Sequence, residues 1–207
     1  MLLNNKNIHK NLFNKLIRLE NSKLGTFRLL PKLHKNKFSC RPIINCNRHP
    51  TSTLRKLIDT ILQPLLKQSF YYIKDSQDVL IKTKNLVLDE NSKILSCDFE
   101  SLYTKIDTSK LINVVCDSVK QILLSSNLLD IFAFHKILSL VLLNNIFRYN
   151  NHYFVQVSGI VMGTICGPTL ANIFVLSLEK HWYNLNNPLL YLRFIDDILM
   201  IPKSPIN

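Results

Sequence analysis

The 207-residue chain is 47% hydrophobic, long and apolar enough for one domain with a full core, or for one domain and part of another. Its formal charge of +12 is lopsided: residues 1–57 hold thirteen Lys and Arg against Glu20 alone, leaving the remainder neutral. Five cysteines, an odd number without a C-x-x-C pair, exclude a disulfide framework and a zinc knuckle, and no apolar run reaches membrane-spanning length.

A basic flank on a neutral body attracts polyanions whatever their sequence, although a solvated lysine-rich surface has the same composition. No secretory leader is recognisable, so the expected setting is intracellular, nuclear or cytoplasmic, with an organellar site left open. Residues 1–24 are Asn/Lys-rich and place Ile8, Leu12, Leu16 and Leu19 at helical spacing. Thr26–Lys35 and Phe38–Ile44 read as two short strands joined by a basic turn. From Ser52 a helical face runs through Leu54, Leu57, Ile58, Ile61, Leu62, Leu65 and Leu66. Thr51 or Ser52 is its expected cap, and Pro64 is expected to kink or shorten it.

A further helix is predicted over Gln77–Leu88. Lys93–Phe99 then reads as a buried strand ending in Asp98, followed by apolar helices over 109–125 and 130–146. Phe147–Phe154 reads as a hairpin around Asn150-Asn151, because Asn tolerates the positive φ of such turns. Three of the four glycines, Gly159, Gly163 and Gly167, come next, and Pro168 opens a helix through Trp182. Tyr191–Ile201 reads as a last hairpin carrying Asp196-Asp197 at its tip. The order predicts an α+β fold with helices on one face of an antiparallel sheet.

An isolated Asp-Asp is most simply a polar turn. Adjacent carboxylates repel, however, and a divalent cation relieves the repulsion. A third acid at a strand end, Asp98, strengthens the case for metal. Nucleotidyl transfer uses two such ions, and hard oxygen ligands suit Mg²⁺.

Phe194-Ile195-Asp196-Asp197 resembles the aromatic-x-Asp-Asp motif of reverse transcriptases. Asp98-Phe-Glu-Ser-Leu-Tyr103 is similar to their first catalytic motif, and Met162–Asn172 resembles the Gly-x-x-x-Ser-Pro-x-Leu-Ala-Asn segment. Leu30-Pro-Lys-Leu-His-Lys35, Arg41-Pro42-Ile43, Ser101–Thr104 and Tyr153–Gly163 are similar to motifs of the Penelope-like retroelements in particular. These matches run in family order from about residue 26 to 201.

The resemblance implies a right-hand polymerase with a basic segment (1–24), partial fingers (25–90) and a palm (91–207). Asp98, Asp196 and Asp197 would be its catalytic carboxylates, holding two Mg²⁺ ions, with Mn²⁺ as a substitute. Lys32 or Lys35 and Arg41 would meet the incoming triphosphate, their plainer reading being a solvated basic turn. Tyr103 would lie under the sugar and exclude a 2′-hydroxyl, its rival role being that of a core aromatic. Met162 and Gly163 would approach the base pair or primer, the glycine being equally explicable by packing. The implied partners are an RNA template, a DNA primer and dNTPs, without a membrane; the sequence identifies no protein partner.

Met162 replaces the Gln of many reverse transcriptases, and Gly167 stands at the usual Ser. Ten residues follow Asp197, so the later palm motifs, the thumb and any GIY-YIG endonuclease are expected to be missing, as in a fragment. An organellar intron or plasmid reverse transcriptase is the rival enzyme reading. A nucleic-acid-binding remnant without catalysis is the non-enzymatic one.

Overall fold

The structure, a computed structural model, describes residues 22–33, 38–126 and 129–203. The helix expected near the N-terminus lies outside them. The described chain builds β1 (Gly25–Pro31), β2 (Cys40–Asn45), α1 (Ser52–Lys67), α2 (Ser76–Thr83), β3 (Leu95–Asp98) and α3 (Leu102–Lys105). It continues with α4 (Thr108–Ser126), α5 (Ile131–Leu143), β4 (Ile146–Tyr149), β5 (His152–Val155), α6 (Gly167–Asn186), β6 (Leu190–Phe194) and β7 (Asp197–Ile201).

The helices form because their apolar residues recur on one face, and those faces meet. Ile58 and Leu62 of α1, Leu111, Val115 and Val119 of α4, Phe134 and Leu138 of α5, and Leu170 of α6 share one core. Pro64 sits inside α1 rather than ending it. It falls in the last turn, where the missing N–H disturbs little that follows, and the helix runs on to Lys67. Thr51 occupies the N-cap position but makes no capping bond. Its hydroxyl instead accepts from Arg55 Nε at 2.8 Å and faces His49 Nδ1 at 2.8 Å. The helix expected over 77–88 is shorter, Ser76–Thr83, capped by the Asp75 carboxylate, which accepts from the Asp78 N–H.

Two sheets flank this core among the described residues. One has the order β2-β1-β4-β5, with β1 antiparallel to β2 and parallel to β4. Asn150 and Asn151 both adopt positive φ (46° and 64°), which gives the β4–β5 hairpin its tight turn. This hairpin thereby joins the sheet of β1 and β2 across more than a hundred residues of sequence. The other sheet, β3-β7-β6, is antiparallel throughout. Leu190, Leu192 and Ile201 on one of its faces pack with Ile73 and with Val79 of α2. Alternation sends Tyr191 and Arg193 to the opposite face, toward α6. No helix among the described residues is long and apolar enough to cross a membrane. All five cysteines are free thiols.

Candidate active site

Pairing of β3 with β7 sets Asp98 directly opposite Asp197. Cross-strand partners share a face, so the two carboxylates stand side by side on the face away from Arg193, and both residues are exposed. The Phe99 N–H donates to the Asp196 carbonyl at 3.1 Å, fastening the strand end to the turn. Residues almost a hundred positions apart thus meet at one end of the small sheet.

Like charges directly opposite one another destabilise a sheet unless a cation compensates. Among the described residues, no Lys or Arg pairs with Asp98, Asp196 or Asp197. Nor does any group of three or more His, Cys, Asp or Glu there stand ready-made as a metal site. The chemistry of the three carboxylates nevertheless fits a hard divalent ion, which takes oxygen ligands and completes its shell with water and phosphate.

The turn between β6 and β7 contains only Ile195 and Asp196, since Phe194 pairs with Asp197. Ile195 has φ +55°, a conformation that a β-branched residue rarely adopts. Its carbonyl accepts from Arg193 Nη1 at 2.8 Å. Arg193, fully buried, also donates from Nε and Nη2 to the two Glu179 carboxylate oxygens, at 2.5 and 3.0 Å. Nη1 further bonds the Asn172 side-chain oxygen, and Nη2 the Asn172 carbonyl at 3.4 Å. Tyr191 Oη donates to Glu179 Oε1 at 2.8 Å, and burial, followed by the Glu179 charge and that bond, pushes the phenol well above the ordinary tyrosine range. Sequence reading passed over this network. The signals were a lone Arg within Leu-Tyr-Leu-Arg-Phe and a Glu that ends the apolar run Ile173–Leu178.

Ser101, at φ +58°, ends the extended stretch after Asp98 and starts the single turn of α3 that presents Tyr103. The Tyr103 ring is half-buried against the main core and lies beside Gly167. Burial first, and the Asp196 charge second, push its phenol above the ordinary tyrosine range. Tyr103 therefore combines core packing with a place beside a site carboxylate. Its carbonyl accepts the Ile160 N–H at 2.7 Å, tying it to the glycine-bearing segment.

Gly163, at φ +106°, lies so close to β2 that a Cβ would stand 2.4 Å from the Ile44 carbonyl oxygen. Packing alone therefore requires glycine there. The neighbouring Met162 carbonyl accepts the Ile44 N–H at 2.8 Å. The Met162 side chain lines a cleft of about 300 Å³ with Phe27, Pro42, Ile44, Thr104 and Ile160.

Register places Arg41 opposite Leu30, on the sheet face that carries Arg28, Thr26 and Asn45. Met162 and Arg41 thus serve opposite faces of the larger sheet, because Pro42 and Ile44 alternate with Arg41 and Ile43. Lys32 lies at the turn end of the β1–β2 hairpin, where its N–H donates to the Ser39 carbonyl at 2.8 Å. Lys35 lies outside the described residues. The Arg41 face also holds a cavity of about 580 Å³ lined by Lys23, Arg48, Arg148, Asn45 and Tyr153, and by no acid.

The family profile described as "Reverse transcriptase (RNA-dependent DNA polymerase)" matches residues 33–206. No curated protein matches the sequence. Among solved structures, the apo telomerase of Candida Tropicalis superposes with a TM-score of 0.62 at 12% identity, covering 87% of this chain and 38% of that one. The Candida albicans telomerase in complex with a TWJ fragment of telomeric RNA gives 0.65 at 11% identity, covering 88% and 38%. The chain thus spans under two fifths of the length of these telomerase chains, and at such identities the likeness speaks for the partial palm-and-fingers fold alone. The profile match over most of the sequence goes further: the chain belongs to the reverse transcriptase family.

Proposed function

We propose that this chain is the fingers and palm portion of an RNA-directed DNA polymerase from a Penelope-like retroelement. Its reaction joins a primer 3′-hydroxyl to the α-phosphate of a dNTP on an RNA template, releasing pyrophosphate. The observation that carries this reading is the register of Asp98 against Asp197 beside the Asp196 turn, three uncompensated acids at one exposed sheet end. Two Mg²⁺ ions, or Mn²⁺ in their place, would lower the pKa of the attacking hydroxyl and neutralise charge on the leaving group. Asp98 and Asp196 would hold them, with Asp197 as the third carboxylate.

Fingers (25–90) and palm (91–207) divide the remaining work, with the β4–β5 hairpin lending its edge to the fingers sheet. Arg41 and Lys32, at the turn end of the β1–β2 hairpin, would meet the triphosphate. Tyr103 would stack under the deoxyribose, and Met162 and Gly163 would border the nascent base pair. The basic face with Arg28, Arg48 and Arg148 is suited to a phosphate backbone, which binds through charge irrespective of sequence. The Penelope-like assignment rests on the Leu30–Lys35 motif and the segment leading to Gly163.

The test is primer extension on an RNA template with dNTPs and Mg²⁺. The expected outcome is template-dependent addition that Asp98→Asn or Asp196→Asn abolishes while primer–template binding in metal-free buffer persists. Binding without extension by the wild-type chain would favour the remnant instead.

A further inference from the structure

We infer that Arg193 and Glu179 are positioning residues that set the metal affinity of the Asp196-Asp197 turn by holding Ile195 in its left-handed conformation. The inference rests on the reading of these acids as metal ligands. It adds a cause for their placement that lies on the opposite face of the sheet.

Ile195 would not choose φ +55° unaided, because a β-branched side chain crowds the backbone there. Strained residues persist where their surroundings over-determine them. Here the surroundings are a guanidinium with all five N–H donors engaged: two on Glu179, one on each Asn172 oxygen and one on the Ile195 carbonyl. Arg193, Glu179 and Asn172 are all buried, so no water competes for these bonds. Glu179 and Asn172 belong to α6, whose far side packs in the main core. The rigid helix thus reaches through one side chain to the carbonyl of the residue preceding Asp196.

A buried ion pair is weak evidence for stability, since an apolar pair of similar volume often does as well. No apolar pair could hydrogen-bond the Ile195 carbonyl. That bond is the feature an arginine supplies and a core residue does not. Lysine keeps the charge but loses the planar fork, so Arg193→Lys separates the two.

The experiment uses the full chain and two readouts. Mn²⁺ binding is titrated calorimetrically, and amide exchange is followed at Phe99, whose N–H bonds the Asp196 carbonyl and so reports the turn without metal. Arg193→Lys and Glu179→Gln should weaken Mn²⁺ binding by about tenfold or more, the effect usual for losing a partner that orients a metal ligand. Phe99 protection should fall in both, with α4 and α5 protected as before. Adding Ile195→Gly should restore Mn²⁺ affinity in either background, because glycine takes positive φ without a clamp.

Unchanged Phe99 protection in Arg193→Lys would overturn the inference whether or not Mn²⁺ binds. Failure of Ile195→Gly to restore affinity would overturn it too, by showing that strain at Ile195 is irrelevant. Mn²⁺ binding that is indifferent to Asp98→Asn and Asp196→Asn would instead refute the ligand assignment of the proposed function, with exchange at Phe99 still judging the clamp.

Discussion

Two arginines among the described residues are withdrawn from water, Arg193 beneath the acidic turn and Arg55 on α1 beneath the larger sheet. Arg193 has a carboxylate partner and no donor to spare. Arg55 has neutral partners, Thr51 Oγ1 at 2.8 Å and Asn145 Oδ1 at 2.9 Å, with the Cys46 thiol beside it. Beside it lies the buried His49, whose ring also meets the Ile146 backbone. Burying a charge is costly in both places. Near the acids the cost is offset by a carboxylate and fixes a backbone conformation. At the sheet junction it is offset by dipoles and shifts the titration of a neighbour.

The sharpest way to break this comparison is to remove one partner of the satisfied centre. Glu179→Ala would leave Arg193 buried with only Asn172 and the Ile195 carbonyl, and stripping one member of a buried pair costs about 3–5 kcal/mol. Urea denaturation should show the free energy of unfolding extrapolated to water falling by that amount. A loss below about 1 kcal/mol, the range of exposed pairs, would mean that water reaches the guanidinium.

The second expected effect belongs to the other centre. Burial first, and the Arg55 charge second, lower the His49 imidazole to about 4, with the Ile146 backbone opposing them. Unfolding returns it to about 6.5, so between those values the unfolded chain binds the extra proton and stability rises with pH. Falling from pH 6.5 to 4 should therefore cost up to about 3 kcal/mol, at 1.36 kcal/mol for each pH unit between the two values. His49→Gln should flatten the profile of stability across that window. An unchanged slope would assign the acid sensitivity to carboxylates elsewhere.

Much of this fold was legible because its signals are local. The 3.6-residue spacing in α1, α4 and α5, the Asn150-Asn151 turn and the Pro168 helix start each depend on a few neighbouring residues, and each stands where it was expected except the end of α5, which stops at Leu143 rather than 146 because Ile146 opens β4. The meeting of Asp98 with the Asp196-Asp197 turn was also expected, though from resemblance, since no periodicity reveals which strands pair. What escaped were the long-range polar choices. Thr51 reads as a helix cap, yet its hydroxyl is claimed by His49 and Arg55. Arg193 carries no motif that marks it, yet Glu179, fourteen positions earlier, determines what it does. The separation of Arg41 from Met162 was hidden likewise, because strand alternation divides them only once β2 is seen beside the Met162 segment.

The smallest expected effect tests why His49 is held neutral. Arg55→Met removes a buried charge with no carboxylate partner, so relief of desolvation opposes the lost bonds to Thr51 and Asn145. The net change in stability should be a loss of about 1 kcal/mol, because leaving buried acceptors unpaired costs about 1–3 kcal/mol and relief of the buried charge offsets part of it. The titration of His49, followed by NMR of its ring protons, should move upward because one of the two lowering causes is gone. It should stop short of 6.5, because burial, the larger cause, remains. Full recovery to 6.5 would make the Arg55 charge the dominant influence. No movement at all would mean that Arg55 and His49 do not feel each other, and the contrast between the two arginines would then reduce to their hydrogen bonds.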